Sequence, residues 1–201
     1  MKKQFSQKNK GFTLVETLVA IAIFSMSILG LLSVMATGIT NTDYAKNKII
    51  AAYLAQEGIE YIRNMRDTYV LYYNSTNSPP YTDWTNGFIV KLNSASCFLG
   101  NGCYFSDLVA SSYTPPSAQS MTNIQMNLCT NFTCSTNPLL YDSSSGTYGY
   151  TKGSNSGFVR QIKATSINAN TIRVSSIVYW KQGSNSYNIT LSEDLFNWFQ
   201  H

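Results

Sequence analysis

Gly11-Phe12-Thr13-Leu14-Val15-Glu16 stands where a lysine-bearing leader gives way to a long apolar run. From Phe12 to Ala36 the only polar side chains are Thr13, Glu16, Thr17, Ser25, Ser27 and Ser33. At about 1.5 Å per residue such a run forms a helix of about 37 Å, enough to cross a hydrocarbon core of about 30 Å. One acid sits inside it. A carboxylate within a membrane costs roughly 2.5–3.5 kcal/mol on insertion scales, so Glu16 is expected to be paired or functional.

The formal charge of +4 belongs to the leader. Lys2, Lys3, Lys8 and Lys10 are four of the 14 basic side chains, and no acid accompanies them. Without them, ten basic residues face ten acidic ones. A neutral remainder gives no global attraction to nucleic acid. The basic leader fits retention of the N-terminus in the cytoplasm while the rest is exported.

The leader ending in Gly, the Phe-Thr-Leu-Val-Glu after it and the apolar helix behind resemble the type IV prepilin signal, over about the first 40 residues. The resemblance implies that a membrane-embedded prepilin peptidase cuts after Gly11 and that the new N-terminal amine of Phe12 is methylated. It also implies that Glu16 pairs with the N-terminal amine of a neighbouring subunit during assembly. Ala55-Gln56-Glu57-Gly58-Ile59-Glu60-Tyr61-Ile62-Arg63 is similar to the corresponding helix of PilV-like minor pilins and pseudopilins. The rival is a disposable secretory signal cut after Val34-Met35-Ala36, leaving Thr37 as the N-terminus. Its apolar region would be unusually long, and an early acid weakens it.

The chain divides into a leader (1–11), a transmembrane or filament-core helix (12–39), an amphipathic half of that helix (40–73) and a β domain (74–201). Within the last lies a cysteine-containing insertion (93–156). Thr40-Asn41-Thr42-Asp43 marks a membrane exit or a soft spot. Gly30 and Gly38 each weaken a helix by up to about 1 kcal/mol, which suits either close packing or local melting on assembly. Ile50, Leu54, Gly58, Tyr61, Met65, Tyr69 and Tyr72 share one helical face, as on a helix laid over a sheet. Glu60–Arg63 and Arg63–Asp67 are spaced to pair along the exposed side.

A loop over 74–86 carries Pro79-Pro80, and Gly87–Leu92 reads as a first strand. The Ser/Asn/Thr-rich stretch to about residue 156, with Pro115-Pro116, has no long period. Further on, Phe158, Arg160, Ile162 and Ala164 alternate onto one face, as do Ile172, Val174, Val178 and Trp180. Tyr187–Leu191 gives a third run, and the short turns Ser166–Asn170 and Gln182–Ser186 make an antiparallel meander. Ser192 is placed to cap a short C-terminal helix, with Glu193 and Asp194 in its first turn and Leu195, Phe196, Trp198 and Phe199 docked on the core.

The four cysteines, Cys97, Cys103, Cys129 and Cys134, fall in the exported part, where disulfides form. Three pairings exist; two local loops, Cys97–Cys103 and Cys129–Cys134, are preferred to crossed bridges. The spacings C-x5-C and C-x4-C depart from the tight knuckles of zinc sites. The only histidine is His201, so no Ser-His-Asp or Cys-His constellation is expected. No nucleotide fingerprint, metal pattern or cofactor motif stands out.

Together these readings give an α+β chain of type IV pilin-like architecture, its long N-terminal helix packed on a C-terminal antiparallel sheet. It is expected to be a structural subunit rather than an enzyme: a minor pilin or pseudopilin anchored once in the inner membrane, then extracted into a filament. Expected partners are prepilin peptidase, other pilins or pseudopilins, the inner-membrane assembly platform and the membrane itself. The alternatives are a type II secretion pseudopilin, an adhesive or DNA-uptake tip pilin binding a ligand through 93–156, and a signal-anchored domain that never polymerises.

Overall fold

The computed structural model describes residues 11–75, 83–107 and 125–198. Two compact units divide the chain, Met1–Ala45 and Lys46–His201. The leader lysines, Pro79-Pro80, Pro115-Pro116, Phe199 and His201 lie outside the described residues.

The first unit contains the start of helix α1 (Leu14–Ser75). The helix runs unbroken through Thr40-Asn41-Thr42-Asp43, where the sequence suggests an exit or soft spot. Its hydroxyls explain why. Thr40 Oγ1 donates to the Ala36 carbonyl at 3.2 Å and Thr42 Oγ1 to the Gly38 carbonyl at 2.9 Å, so they bond along the helix instead of ending it. Gly30 and Gly38 are also helical, and a Cβ on either would meet nothing within 4 Å.

The second unit is α+β. Beyond α1 it holds a π-helical segment (Asp83–Ile89), α2 (Val90–Ser94) and the strands β1 (Cys103–Asp107), β2 (Gln125–Leu128), β3 (Leu140–Asp142), β4 (Thr147–Gly149), β5 (Ser154–Asn155), β6 (Phe158–Asn168), β7 (Thr171–Gln182) and β8 (Asn185–Phe196). An antiparallel sheet runs in the order β2-β1-β6-β7-β8, and a small one in the order β4-β3-β5. The expected meander is therefore present as β6–β7–β8.

Phe158, Arg160, Ile162 and Ala164 are all buried on β6, and Ile172, Val174, Val178 and Trp180 on β7. From α1, Leu54, Ile62, Met65 and Tyr69 are buried. Ile62 and Met65 share one apolar cluster with Phe105, Ile162, Val174 and Leu195. Each such side chain contributes about 1.5–3 kcal/mol of transfer free energy. Helix and sheet approach closely at Gly58: a Cβ there would stand 2.5 Å from Ser176 Oγ and 3.0 Å from Arg160 Cδ.

Four expectations are corrected. Gly87–Leu92 is not a strand, because Trp84, Phe88, Leu92 and Ala95 are buried at helical spacing while Val90 faces out. The C-terminal capped helix is instead the end of β8. Ser192 Oγ meets Ser175 Oγ at 2.8 Å across the ladder, and Asp194 takes two hydrogen bonds from Arg173. Leu195 is buried as expected, whereas Phe196 and Trp198 are exposed. Asp67 pairs with Arg66 rather than Arg63; Arg63 bridges Glu60 and Glu193 instead. The stretch 93–156 holds short strands, β1 to β5, too brief to show a period.

Cys97 is bonded to Cys103 and Cys129 to Cys134, which consumes all four thiols. The two loops adjoin: the Cys129 amide donates to the Gly102 carbonyl at 3.0 Å. Gly102 takes φ +67°, with a would-be Cβ 2.5 Å from the Ile162 carbonyl oxygen, so no side chain fits there. Buried Gln161 ties both loops to β6, its Nε2 donating to the carbonyls of Asn101 and Phe132 and its Oε1 accepting from Tyr179. Loop-closure entropy for so short a ring is worth about 2 kcal/mol. The double substitution Cys97→Ala/Cys103→Ala is expected to lower unfolding free energy by at least that much, read from guanidinium denaturation. An unchanged midpoint would show that the bridge is dispensable.

Candidate processing and assembly segment

Gly11, Phe12 and Thr13 precede the first turn of α1 and are exposed. The Phe12 side chain is 81% exposed and Glu16 lies in the first helical turn. Thr13 acts as the cap, its Oγ1 accepting from the Glu16 amide at 3.3 Å. The Glu16 side chain has no ion-pair partner among the described residues. A carboxylate near a helix N-terminus is favoured by the helix dipole, but a positive amine in the same place is not. An amine created at Phe12 would thus need a carboxylate within reach.

Among the described residues α1 is the one helix long and apolar enough to cross a membrane. Its most apolar window of 18 residues has mean hydropathy 2.5, and none of that window is buried within the chain. Large apolar side chains cover it, from Leu14 and Val15 to Val34 and Met35. The polar residues in the run do little to oppose an apolar setting. Thr17, Ser25 and Ser27 hydroxyls each donate to a carbonyl three or four residues back, at 2.9, 2.8 and 2.9 Å. Satisfied this way, a hydroxyl no longer demands water.

Sequence reasoning placed Arg160 on the buried face of β6 but missed what it does. Its guanidinium is fully buried beneath α1, where Nη1 donates to Glu57 Oε2 at 2.8 Å and to the Leu54 carbonyl at 3.0 Å. Nε donates to the Tyr150 hydroxyl at 3.4 Å. The Phe105, Tyr150 and Tyr61 ring centroids lie 5.2, 5.8 and 6.0 Å from Cζ, within cation–π range. Burial opposes the charge, but Tyr150 and Glu57 more than offset it, so the Arg160 pKa stands above its ordinary value. Burial is also the main cause that raises the Tyr150 and Tyr61 hydroxyls. These phenols stay neutral and serve as hydrogen-bond and ring partners. The cluster pins helix to sheet.

Residues 6–39 match the family described as the prokaryotic N-terminal methylation motif. No curated protein and no solved structure matches the chain. The matched residues take in the exposed Gly11–Glu16 segment and the unburied apolar part of α1, so the N-terminal segment is of prepilin type and supports a type IV pilin-like structural subunit.

Proposed function

We propose that this chain is a minor pilin or pseudopilin, made as an inner-membrane precursor and built into a type IV pilus-like or type II secretion filament through its N-terminal helix. The observation that carries the reading is the coincidence of the methylation motif with the long apolar window of α1, none of which is buried. In solution such a surface is costly; a membrane, and then the core of a helical filament, is where it becomes favourable.

In this reading prepilin peptidase cuts between Gly11 and Phe12, removing the four lysines that hold the leader on the cytoplasmic side. Phe12 becomes the methylated N-terminus. Glu16 then offers its carboxylate to the amine of a neighbouring subunit, and a matched pair recovers desolvation free energy that either charge alone would lose. The chain is thus the substrate of an enzyme and not an enzyme itself. Its partners are the peptidase, other pilins or pseudopilins and the assembly platform.

The test is mass spectrometry of the mature N-terminus, purified from a host expressing a prepilin peptidase. The expected species begins at N-methylated Phe12. A chain beginning at Thr37, or one retaining Met1, would overturn the proposal.

A further inference from the structure

Thr136, Asn137 and Leu140 face Tyr104 and Ser106 of β1 across a cleft of about 270 Å³, with Tyr150 also lining it. We propose that this cleft binds one ring of a neutral saccharide, a hexose or an N-acetylhexosamine. The inference concerns the second unit alone and does not depend on how the N-terminus is processed.

Charge narrows the ligand first. No Asp, Glu, Lys or Arg occurs from Leu92 to Ser106 or from Gln125 to Tyr141. Arg160, which bonds the Tyr150 hydroxyl, is fully buried and holds Glu57 and the Leu54 carbonyl, and Lys152, two residues after Tyr150, is paired with Asp142. No charged side chain is among the residues lining the cleft, so a phosphate, a carboxylate or a sialic acid would lose hydration there without a lining counter-charge. Size narrows it further. Pockets for drug-sized ligands begin near about 300 Å³, so this one has room for a single ring.

What remains is a neutral molecule with both an apolar face and hydroxyls. The Tyr104 and Tyr150 rings stand 6.3 Å apart, inclined at 50°. An aromatic face is electron-rich and attracts the polarised C–H groups of a sugar ring. Tyr150 is held from behind by Arg160, which leaves the half-buried Tyr104 as the stacking platform. Around it stand the Ser106 and Thr136 hydroxyls and the Asn137 carboxamide. The Asn137 Oδ1 accepts from Thr136 at 2.8 Å, and its Nδ2 donor has no partner among the described residues. That donor is available to a sugar hydroxyl or an acetamido carbonyl.

The walls are set before any ligand arrives. Tyr104 follows Cys103, and Thr136 lies two residues after Cys134, so each wall is anchored by a disulfide. The Asn137 amide donates to the Cys134 carbonyl at 2.9 Å, and the Leu139 amide to the Phe158 carbonyl at 2.8 Å. A preformed wall loses little entropy on binding, which matters for a weakly held single sugar.

The experiment uses the full mature chain in a detergent without a sugar headgroup, titrated calorimetrically with glucose, galactose, N-acetylglucosamine, N-acetylgalactosamine and sialic acid. At least one neutral sugar is expected to bind with a dissociation constant in the millimolar range. Tyr104→Ala should weaken it about tenfold, while Tyr104→Phe stays within about threefold, because the ring and not its hydroxyl carries the contact. Asn137→Ala, at a half-buried polar position, should weaken it about fivefold with the thermal midpoint unchanged. That variant decides the matter if Tyr104→Ala fails to fold. Absence of binding by all four neutral sugars, preference for sialic acid, or binding indifferent to both Tyr104→Ala and Asn137→Ala would each overturn the proposal.

Discussion

Arg160→Ala is expected to lower the stability of the Lys46–His201 unit by about 3–5 kcal/mol, the usual effect of breaking a buried, hydrogen-bonded charge pair. For a domain of this size that is a fall of about 10 °C in thermal midpoint, read by circular dichroism or calorimetry. Three losses combine. The Leu54 carbonyl loses its side-chain donor, Glu57 loses its partner, and a cavity opens among Phe105, Tyr61 and Tyr150. Glu57 is itself 36% exposed on its side chain, but Glu57→Gln leaves the fully buried guanidinium without a counter-charge; the amide oxygen can still accept from it, so the cost should be about 1–3 kcal/mol. Arg160→Met should fall between them, since it keeps the volume and discards the charge. An Arg160→Ala variant that loses less than about 1 kcal/mol would show that the pin is not structural.

The same residue marks how far the sequence could be read. Period two placed Arg160 in line with Phe158, Ile162 and Ala164, and period 3.6 placed Leu54, Gly58 and Met65 on the packed face of α1. Both periods are local, and both are present in the structure. The Arg160–Glu57 contact joins residues 103 apart, which no periodicity reports. The C-terminus fails for a related reason. Glu193 and Asp194 after Ser192 look like the acids of a helix start, but Arg63 and Arg173 reach them across the fold. Gly87–Leu92 is a short apolar run of the kind that strand and helix share, and only the burial of Trp84 and Ala95 on either side of it shows the helical spacing. Where each strand spans five residues or fewer, as in β1 to β5, turn and disulfide constraints replace the period altogether. The N-terminal segment is the opposite case. The methylation motif over residues 6–39 was legible because it rests on an apolar run and one misplaced charge, which are properties of the sequence itself.

Glu16→Ala is expected to leave processing after Gly11 intact and to reduce incorporation into filaments by tenfold or more. The change should not harm the helix. Thr13 caps the Glu16 backbone amide through Oγ1, an interaction the substitution retains, and Ala is the better helix former. Any loss is therefore a loss of the carboxylate. Without it, the amine of a neighbouring subunit would enter an apolar core unpaired. At about 2.5–3.5 kcal/mol per charge, even on insertion scales, that disfavours docking by about two orders of magnitude or more. Glu16→Gln should fail almost as badly, because an amide keeps the shape but not the charge, whereas Glu16→Asp should retain part of the function. The measurement is the ratio of processed subunit in sheared filaments to processed subunit in the membrane, by quantitative mass spectrometry. Wild-type incorporation of Glu16→Ala would remove the charge pair from the assembly mechanism. A defect confined to cleavage would instead place Glu16 in recognition by the peptidase. The two outcomes are separable because cleavage acts on the single chain in the membrane, while pairing exists only between chains.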